Sequence, residues 1–163
     1  MKSVIVITGK NNSGKTTTAL KIKEHFPSTK GFISLSADTK DEITLLDLGR
    51  GDRLPLMSRY FESDADVGAY RYLQSTFDYA SNVEFDDKGV VIVDEIGRLE
   101  LRGEGFDFLM RHLLSLSVNL IITVRTEFLE DVVRHYEIEA DCFSPGNLEE
   151  IIRKIKSLNP DWN

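Results

Sequence analysis

Gly9, Gly14, Lys15 and Thr16 satisfy the spacing G-x-x-x-x-G-K-[ST], directly after the apolar run Val4-Ile5-Val6-Ile7 and directly before a stretch of helical periodicity. Glycines so spaced let the backbone N–H groups of Gly9, Lys10, Asn11, Asn12, Ser13 and Gly14 converge on an anion, and the following helix adds its positive N-terminal end. Phosphate is the natural occupant. Lys15 then reaches the β and γ phosphates as a compact charge, the Thr16 hydroxyl is a ligand for Mg²⁺, and Thr17 extends the helix start toward the α-phosphate. Asn11 and Asn12 fill the middle of the loop, where glycine would most easily adopt left-handed backbone; Asn tolerates that conformation better than most residues. The loop is therefore expected to close around its anion.

A second constellation lies at residues 90–97, where Val90-Val91-Ile92-Val93 runs into Asp94-Glu95 and then Ile96-Gly97. A carboxylate at the carboxyl end of a buried strand is placed to hold Mg²⁺ opposite Thr16, which assigns Asp94 to the metal. Glu95 then faces the γ-phosphate, where a carboxylate can orient and deprotonate a water in line with the leaving oxygen. Charge developing on a transferring phosphoryl group calls for a cation from the protein, and Arg98 and Arg125 are both candidates. Arg125 follows the apolar run Leu120 to Val124, whose end should open onto the same crevice, with Thr123 beside it.

These side chains need a scaffold. Short β-branched apolar runs at residues 4–8, 31–35, 43–48, 90–94, 120–124 and 140–143 read as strands, several of them too apolar to be covered on one face only. Between them, apolar residues recur at helical spacing: Ala19, Ile22 and Phe26; Tyr70, Leu73, Phe77 and Ala80; Phe106, Leu109, Met110 and Leu113; Phe128, Val132 and Tyr136; Leu148, Ile151, Ile152 and Ile155. Five amphipathic helices alternating with buried strands predict an α/β fold of three layers, a mostly parallel sheet with helices on both faces. Residues 31–48 are the exception. Their two strands flank a connection too short for a helical crossover, which predicts an antiparallel hairpin. Residues 49–66 carry Gly49, Gly51, Pro55 and a string of charges, and read either as a mobile loop beside the site or as a long surface connection. Asn159-Pro160 stops the last helix.

At 163 residues the chain is expected to form a single domain spanning 1–163, and 41% hydrophobic with 29% charged residues is ordinary for a soluble protein. A net charge of −7 without an evident basic run argues against nucleic acid and anionic membranes as partners. A nucleoside triphosphate is the expected partner, and any protein partner is unknown. Cys142 is the only cysteine, so no internal disulfide can form, and nothing at the N-terminus reads as a signal peptide. A cytoplasmic location is the expectation. No apolar stretch approaches the length of a membrane span.

The residues also resemble a known family, the small nucleoside-triphosphatases first associated with thermophiles, which include a human cancer-related nucleoside-triphosphatase. The likeness is carried by Thr8-Gly9 through Thr17, by Gly31-Phe32, by Val67-Gly68-Ala69-Tyr70, by Thr123 to Arg125, by Asn147-Leu148, and above all by Asp94-Glu95-Ile96-Gly97-Arg98-Leu99-Glu100-Leu101. That last run is similar to the family's Asp-Glu-Ile-Gly-Lys-Met-Glu-Leu. The resemblance implies a RecA-like P-loop fold and slow Mg²⁺-dependent hydrolysis of several nucleoside triphosphates to the diphosphate and phosphate. It departs in its loop, since the family's is richer in proline and glycine, and in its first hairpin, which the family makes longer and more basic. By the same analogy Asn147 touches the base, although Asn147 with Glu150 also reads as a helix capping box.

Two rivals share the phosphate loop: a nucleotide or small-molecule kinase, for which Arg50, Arg53 and Arg59 would serve a lid, and a non-catalytic nucleotide-binding switch. His25, His112 and His135 are scattered without a second ligand at metal-binding spacing. Cys142 reads as an inert core thiol, and Tyr60, Phe61 and Tyr70 read as core residues before they read as a base-stacking platform.

Overall fold

The structure, a computed structural model, describes residues 2–63 and 65–162. Its centre is the expected parallel sheet. Strand β1 (Ser3–Gly9) leads through the phosphate loop into α1 (Lys15–His25), and the chain returns in β2 (Lys30–Ser36). After the antiparallel excursion described below come β7 (Val90–Val93), α3 (Arg98–Leu101), α4 (Asp107–Ser115), β8 (Asn119–Arg125), α5 (Leu129–Tyr136), β9 (Glu139–Phe143) and α6 (Leu148–Leu158). Short 3₁₀ turns precede α5 and follow α6. The strands β2, β7, β8, β1 and β9 lie side by side in that order, all parallel. One strand, β8, thus separates the phosphate-loop strand β1 from the acidic strand β7.

Alternation along each strand explains why helices cover both faces. On β1, Val4 and Val6 enter one core with Phe32, Phe77, Phe106, Leu109 and Val132, whereas Ile5 and Ile7 enter the other with Ala19, Ile22, Ile151 and Ile155. The first core takes the inner stripes of α4 and α5, the second those of α1 and α6. Among the described residues 23 hydrophobic side chains are buried in the first core and 12 in the second, and the larger of them, at about 1.5–3 kcal/mol each on transfer, offset the cost of ordering the chain.

Gly31 decides how closely β2 and β7 pair. Its φ of +117° is open only to glycine, and a Cβ there would stand 1.9 Å from the Ile92 carbonyl oxygen. That approach sets the register Phe32 opposite Val93 and carries Ser34 alongside Asp94.

The hairpin of β2 with β3 (Glu42–Asp47) is antiparallel, as its short connection predicts. The sheet continues beyond it, contrary to the sequence reading. Residues 49–66 are not one loop or surface connection: β4 (Arg53–Ser58) pairs antiparallel with β3, and β5 (Asp66–Val67) and β6 (Tyr70–Tyr72) extend the edge. Pro55 hides this strand. It sits opposite a register irregularity in β3, and β6 reaches only Met57 and Ser58, so Pro55 has no ladder bond to donate on that side. Tyr70, assigned by its spacing to a helix, is in β6, and α2 (Gln74–Ser81) begins only after Leu73. The coincidence of an i, i+3 step from Tyr70 to Leu73 caused the misreading. Strand β9 is an edge strand with β1 as its neighbour, so Cys142 is exposed rather than a core thiol. No helix among the described residues is long and apolar enough to cross a membrane.

Candidate functional site

The loop between β1 and α1 closes on itself through Lys15. The side chain is only 4% exposed, and its Nζ donates to the carbonyl oxygens of Gly9 at 3.2 Å and Lys10 at 2.7 Å and to Ser13 Oγ at 3.4 Å. Burial lowers the ammonium's affinity for its proton and Arg125 lowers it further, while Glu95 and Asp94 oppose both. Left-handed backbone falls at Asn12 (φ 59°) and Gly14 (φ 93°), the residue types best able to take it. Gly9 is bare for a different reason: a Cβ there would meet Ser13 Oγ at 2.5 Å. Thr16 and Thr17 open α1 with Thr17 exposed, and both line a cleft along the carboxyl ends of the parallel strands, together with Asn11, Asn12, Ser13, Gly14 and Lys15.

Asp94 lies beside Thr16, fully buried and outside the cleft lining. Its Oδ2 accepts from Thr16 Oγ1 at 2.9 Å and from the Ser34 N–H at 3.1 Å, and its Oδ1 accepts from Thr123 Oγ1. Burial and the neighbouring Glu95 charge push the carboxyl up to about 6, against the three hydrogen bonds that hold it down. Among the described residues it makes no ion pair. An oxygen-rich pair of hydroxyl and uncompensated carboxylate is the donor chemistry that suits a hard divalent cation shared with phosphate oxygens.

Glu95 has φ 64°, which costs a residue with a Cβ about 1–3 kcal/mol and turns its side chain out of the strand line. The turn is pinned from β8: the Glu95 N–H donates to Thr123 Oγ1 at 2.8 Å and the Ile96 N–H to the Thr123 carbonyl at 3.0 Å. Arg125, two residues on and level with Gly9 in the sheet, brings Nε to 3.9 Å from Glu95 Oε2 and a terminal nitrogen to 3.8 Å from Glu127. Arg98 lies over the Phe128 ring at 5.7 Å and also borders the cleft.

Thus Lys15, Thr16, Asp94, Glu95, Arg98 and Arg125 come together, and Lys10 contributes its carbonyl. Asn147 does not join them. It stands exposed at the start of α6, outside the cleft lining, and its side chain makes no cap hydrogen bond, so the expected capping box is not formed either. Pro145, two residues before it, does reach the first turn of α1, its carbonyl accepting from Thr18 Oγ1 at 2.9 Å.

The cleft, about 820 Å³, runs on past Glu95 over β2, β3 and β4 to the β5–β6 turn, with Leu56, Met57, Phe77 and Phe106 in its walls. Lys40, Arg59, Arg98 and Arg125 add cations from four separate segments, a positive lining that no run in the sequence reveals. Of the three arginines in residues 49–66, Arg59 alone lines it. Tyr60 is 73% exposed, not a core residue, whereas Tyr70 lines the cleft and donates to the Lys40 carbonyl. His135 is occupied at a distance, bonded to Asp107 at 3.1 Å. Sequence reasoning missed Ser34 and the structural part of Glu100; Ser34 carries no signal at all, since only the β2–β7 register brings its amide to Asp94.

Comparison with known proteins adds three findings. A family model described as NTPase matches residues 4–156. The solved structure of THEP1 from the hyperthermophile Aquifex aeolicus is similar with a TM-score of 0.71 and 23% sequence identity, covering 94% of this chain and 99% of that one, a likeness of fold. Among curated proteins nothing matches.

Proposed function

We propose, from the premise that this chain belongs to the NTPase family, that it hydrolyses nucleoside 5′-triphosphates such as ATP and GTP to the diphosphate and phosphate, with Mg²⁺. One observation carries the reading: Lys15, the Thr16–Asp94 pair and the Glu95–Arg125 pair meet at one end of three adjacent strands.

The loop amides and Lys15 bind the β and γ phosphates, and Thr16 and Asp94 hold the cation. When bound, Mg²⁺ neutralises phosphate oxygens as charge develops on them. Glu95 orients a water and accepts its proton as the water oxygen bonds to the γ-phosphorus and the bond to the bridging oxygen breaks. Arg125 offsets charge on the transferring group, and Arg98 assists from the cleft wall.

The test is phosphate release from ATP, GTP, CTP and UTP, with Mg²⁺ and with chelator. Diphosphate and phosphate in equal amounts, lost on chelation, are expected. Tight nucleotide binding without turnover would replace this reading with that of a switch. A second reading, phosphoryl transfer to an acceptor, is favoured by the length of cleft beyond Glu95. Release that rises only when an acceptor is supplied would decide for it.

A further inference from the structure

We propose that Glu100 is a positioning residue for hydrolysis: its buried carboxylate grips the Gly97 and Phe106 backbone amides and so holds the turn that aims Glu95 into the cleft. The inference rests on the reading of Glu95 as the base.

Glu100 is 2% exposed, and both of its oxygens are engaged, Oε2 by the Gly97 N–H at 2.9 Å and Oε1 by the Phe106 N–H at 3.0 Å. It makes no ion pair among the described residues. A buried carboxylate without a cation is costly, and an apolar residue at this position of a short helix would pack more cheaply. What an apolar residue cannot do is accept from two amides that would otherwise be buried unbonded.

The position of those amides gives the carboxylate its role. Glu95 occupies a left-handed conformation that its own sequence does not favour, so something must fix the chain on either side. Three successive N–H groups are tied down: Glu95 to Thr123 Oγ1, Ile96 to the Thr123 carbonyl, and Gly97 to Glu100. The first two ties belong to the sheet. The third is the tie on the far side of the turn, and Glu100 extends it to Phe106, at the head of α4 and in the main core. The turn is thereby braced between β8 and α4.

The surroundings are cut to the carboxylate. Gly105, with φ +61°, lies where a Cβ would stand 2.6 Å from Glu100 Oε1 and 2.8 Å from Leu99 Cβ. Gly97 is pressed against the Phe128 ring, which a Cβ would meet at 3.2 Å. A Cβ at Gly105 would disturb the grip itself, whereas one at Gly97 would press on the Phe128 ring.

Glu100→Gln keeps size and burial but turns one acceptor into a donor that faces an N–H. Displacing a reacting group by about 1 Å can cost 100-fold, so kcat should fall about 10–100-fold, with KM and the affinity for a fluorescent ATP analogue within twofold of wild type. In a Glu95→Gln background the same change should cost nothing further, because the group being positioned is gone. A wild-type kcat in Glu100→Gln, or a loss that multiplies with that of Glu95→Gln, would overturn the inference while leaving the base assignment standing. Wild-type turnover by Glu95→Gln alone would remove the base assignment, and this inference with it. If Glu100→Gln does not fold, Glu100→Asp, which retains the charge but cannot span both amides, is put through the same cycle with the same two outcomes.

Discussion

Thr16 Oγ1 donates to Asp94 Oδ2 at 2.9 Å although 78 residues separate them. The contact exists because β8 alone lies between β1 and β7, so the ends of the two outer strands are about two strand spacings, roughly 10 Å, apart and a helix-start side chain bridges the rest. Two hydroxyls and an amide bond the Asp94 carboxylate, the Lys15 charge acts on it from nearby, and among the described residues it makes no ion pair. Asp94→Asn should therefore keep the fold yet lose the metal-linked part of nucleotide binding. In wild type, ATP with Mg²⁺ should raise the melting temperature more than ATP with chelator, since a ligand that binds only the folded state stabilises it. In the variant the two curves should coincide, and phosphate release should fall at least about 100-fold; a persisting Mg²⁺-dependent shift would show that the cation is held elsewhere.

The two arginines are not equivalent. Arg125 is in register with Gly9 and within ion-pair reach of Glu95, whereas Arg98 spends its guanidinium on the Phe128 face. Arginines that meet transition-state charge contribute about 10³–10⁵ in rate where they act fully. Arg125→Ala should lose at least about 100-fold in kcat, and Arg98→Ala no more than about tenfold. The reverse order in steady-state assays would exchange their roles.

Lys15 holds the loop closed through three oxygens as well as offering charge. Lys15→Ala should weaken binding of a fluorescent nucleotide analogue by at least about tenfold. Undiminished affinity in that titration would mean that the loop amides alone bind the phosphates.

Gly31→Ala has a steric consequence that can be anticipated. Its Cβ would overlap the Ile92 carbonyl in the middle of the sheet, at a φ that disfavours any side chain. Urea unfolding should report a loss of about 3 kcal/mol or more, in the range reserved for core disruption. Because the same pairing carries the Ser34 amide to Asp94, turnover should fall in the fraction that still folds. A variant as stable as wild type would mean that β2 and β7 can part without cost.

How much of this was legible beforehand divides along physical lines. The parallel strands, the helices that flank them and the β2–β3 hairpin were readable because each buries a periodic apolar face. The phosphate loop and the Asp94-Glu95 strand end were readable because their chemistry is local. Strand β4 was not, since Pro55 and Arg53 mask a short strand that β3 pairs along its length and β6 only at Met57 and Ser58, and β6 was lost to a chance helical spacing at Tyr70. The cleft's positive lining escaped because Lys15, Lys40, Arg59, Arg98 and Arg125 come from five segments and meet only in the folded chain. Glu100 appeared in the sequence only as a letter of a familiar run; the grip on Gly97 and Phe106 depends on the path of residues 101–106, which no local pattern sets.

The same carboxylate gives a stability signature that does not depend on catalysis. Burial, and to a lesser degree the Asp107 charge, push Glu100 from an ordinary 4.5 up to about 6 in the folded protein, against the bonds from Gly97 and Phe106. The folded state therefore binds this proton more tightly than the unfolded chain does. The contribution to stability is fully present below about pH 4.5 and is lost as pH rises through about 6. That rise corresponds to about 2 kcal/mol, or about 4–8 °C in melting temperature for a chain of this size. Glu100→Gln has no proton to lose. Its melting temperature should sit furthest below that of wild type at pH 4.5 and gain on it by several degrees up to pH 7, as followed by circular dichroism. A constant difference across that range would mean that the amide bonds from Gly97 and Phe106 offset the burial of the carboxylate in full, so that folding takes up no proton at this site.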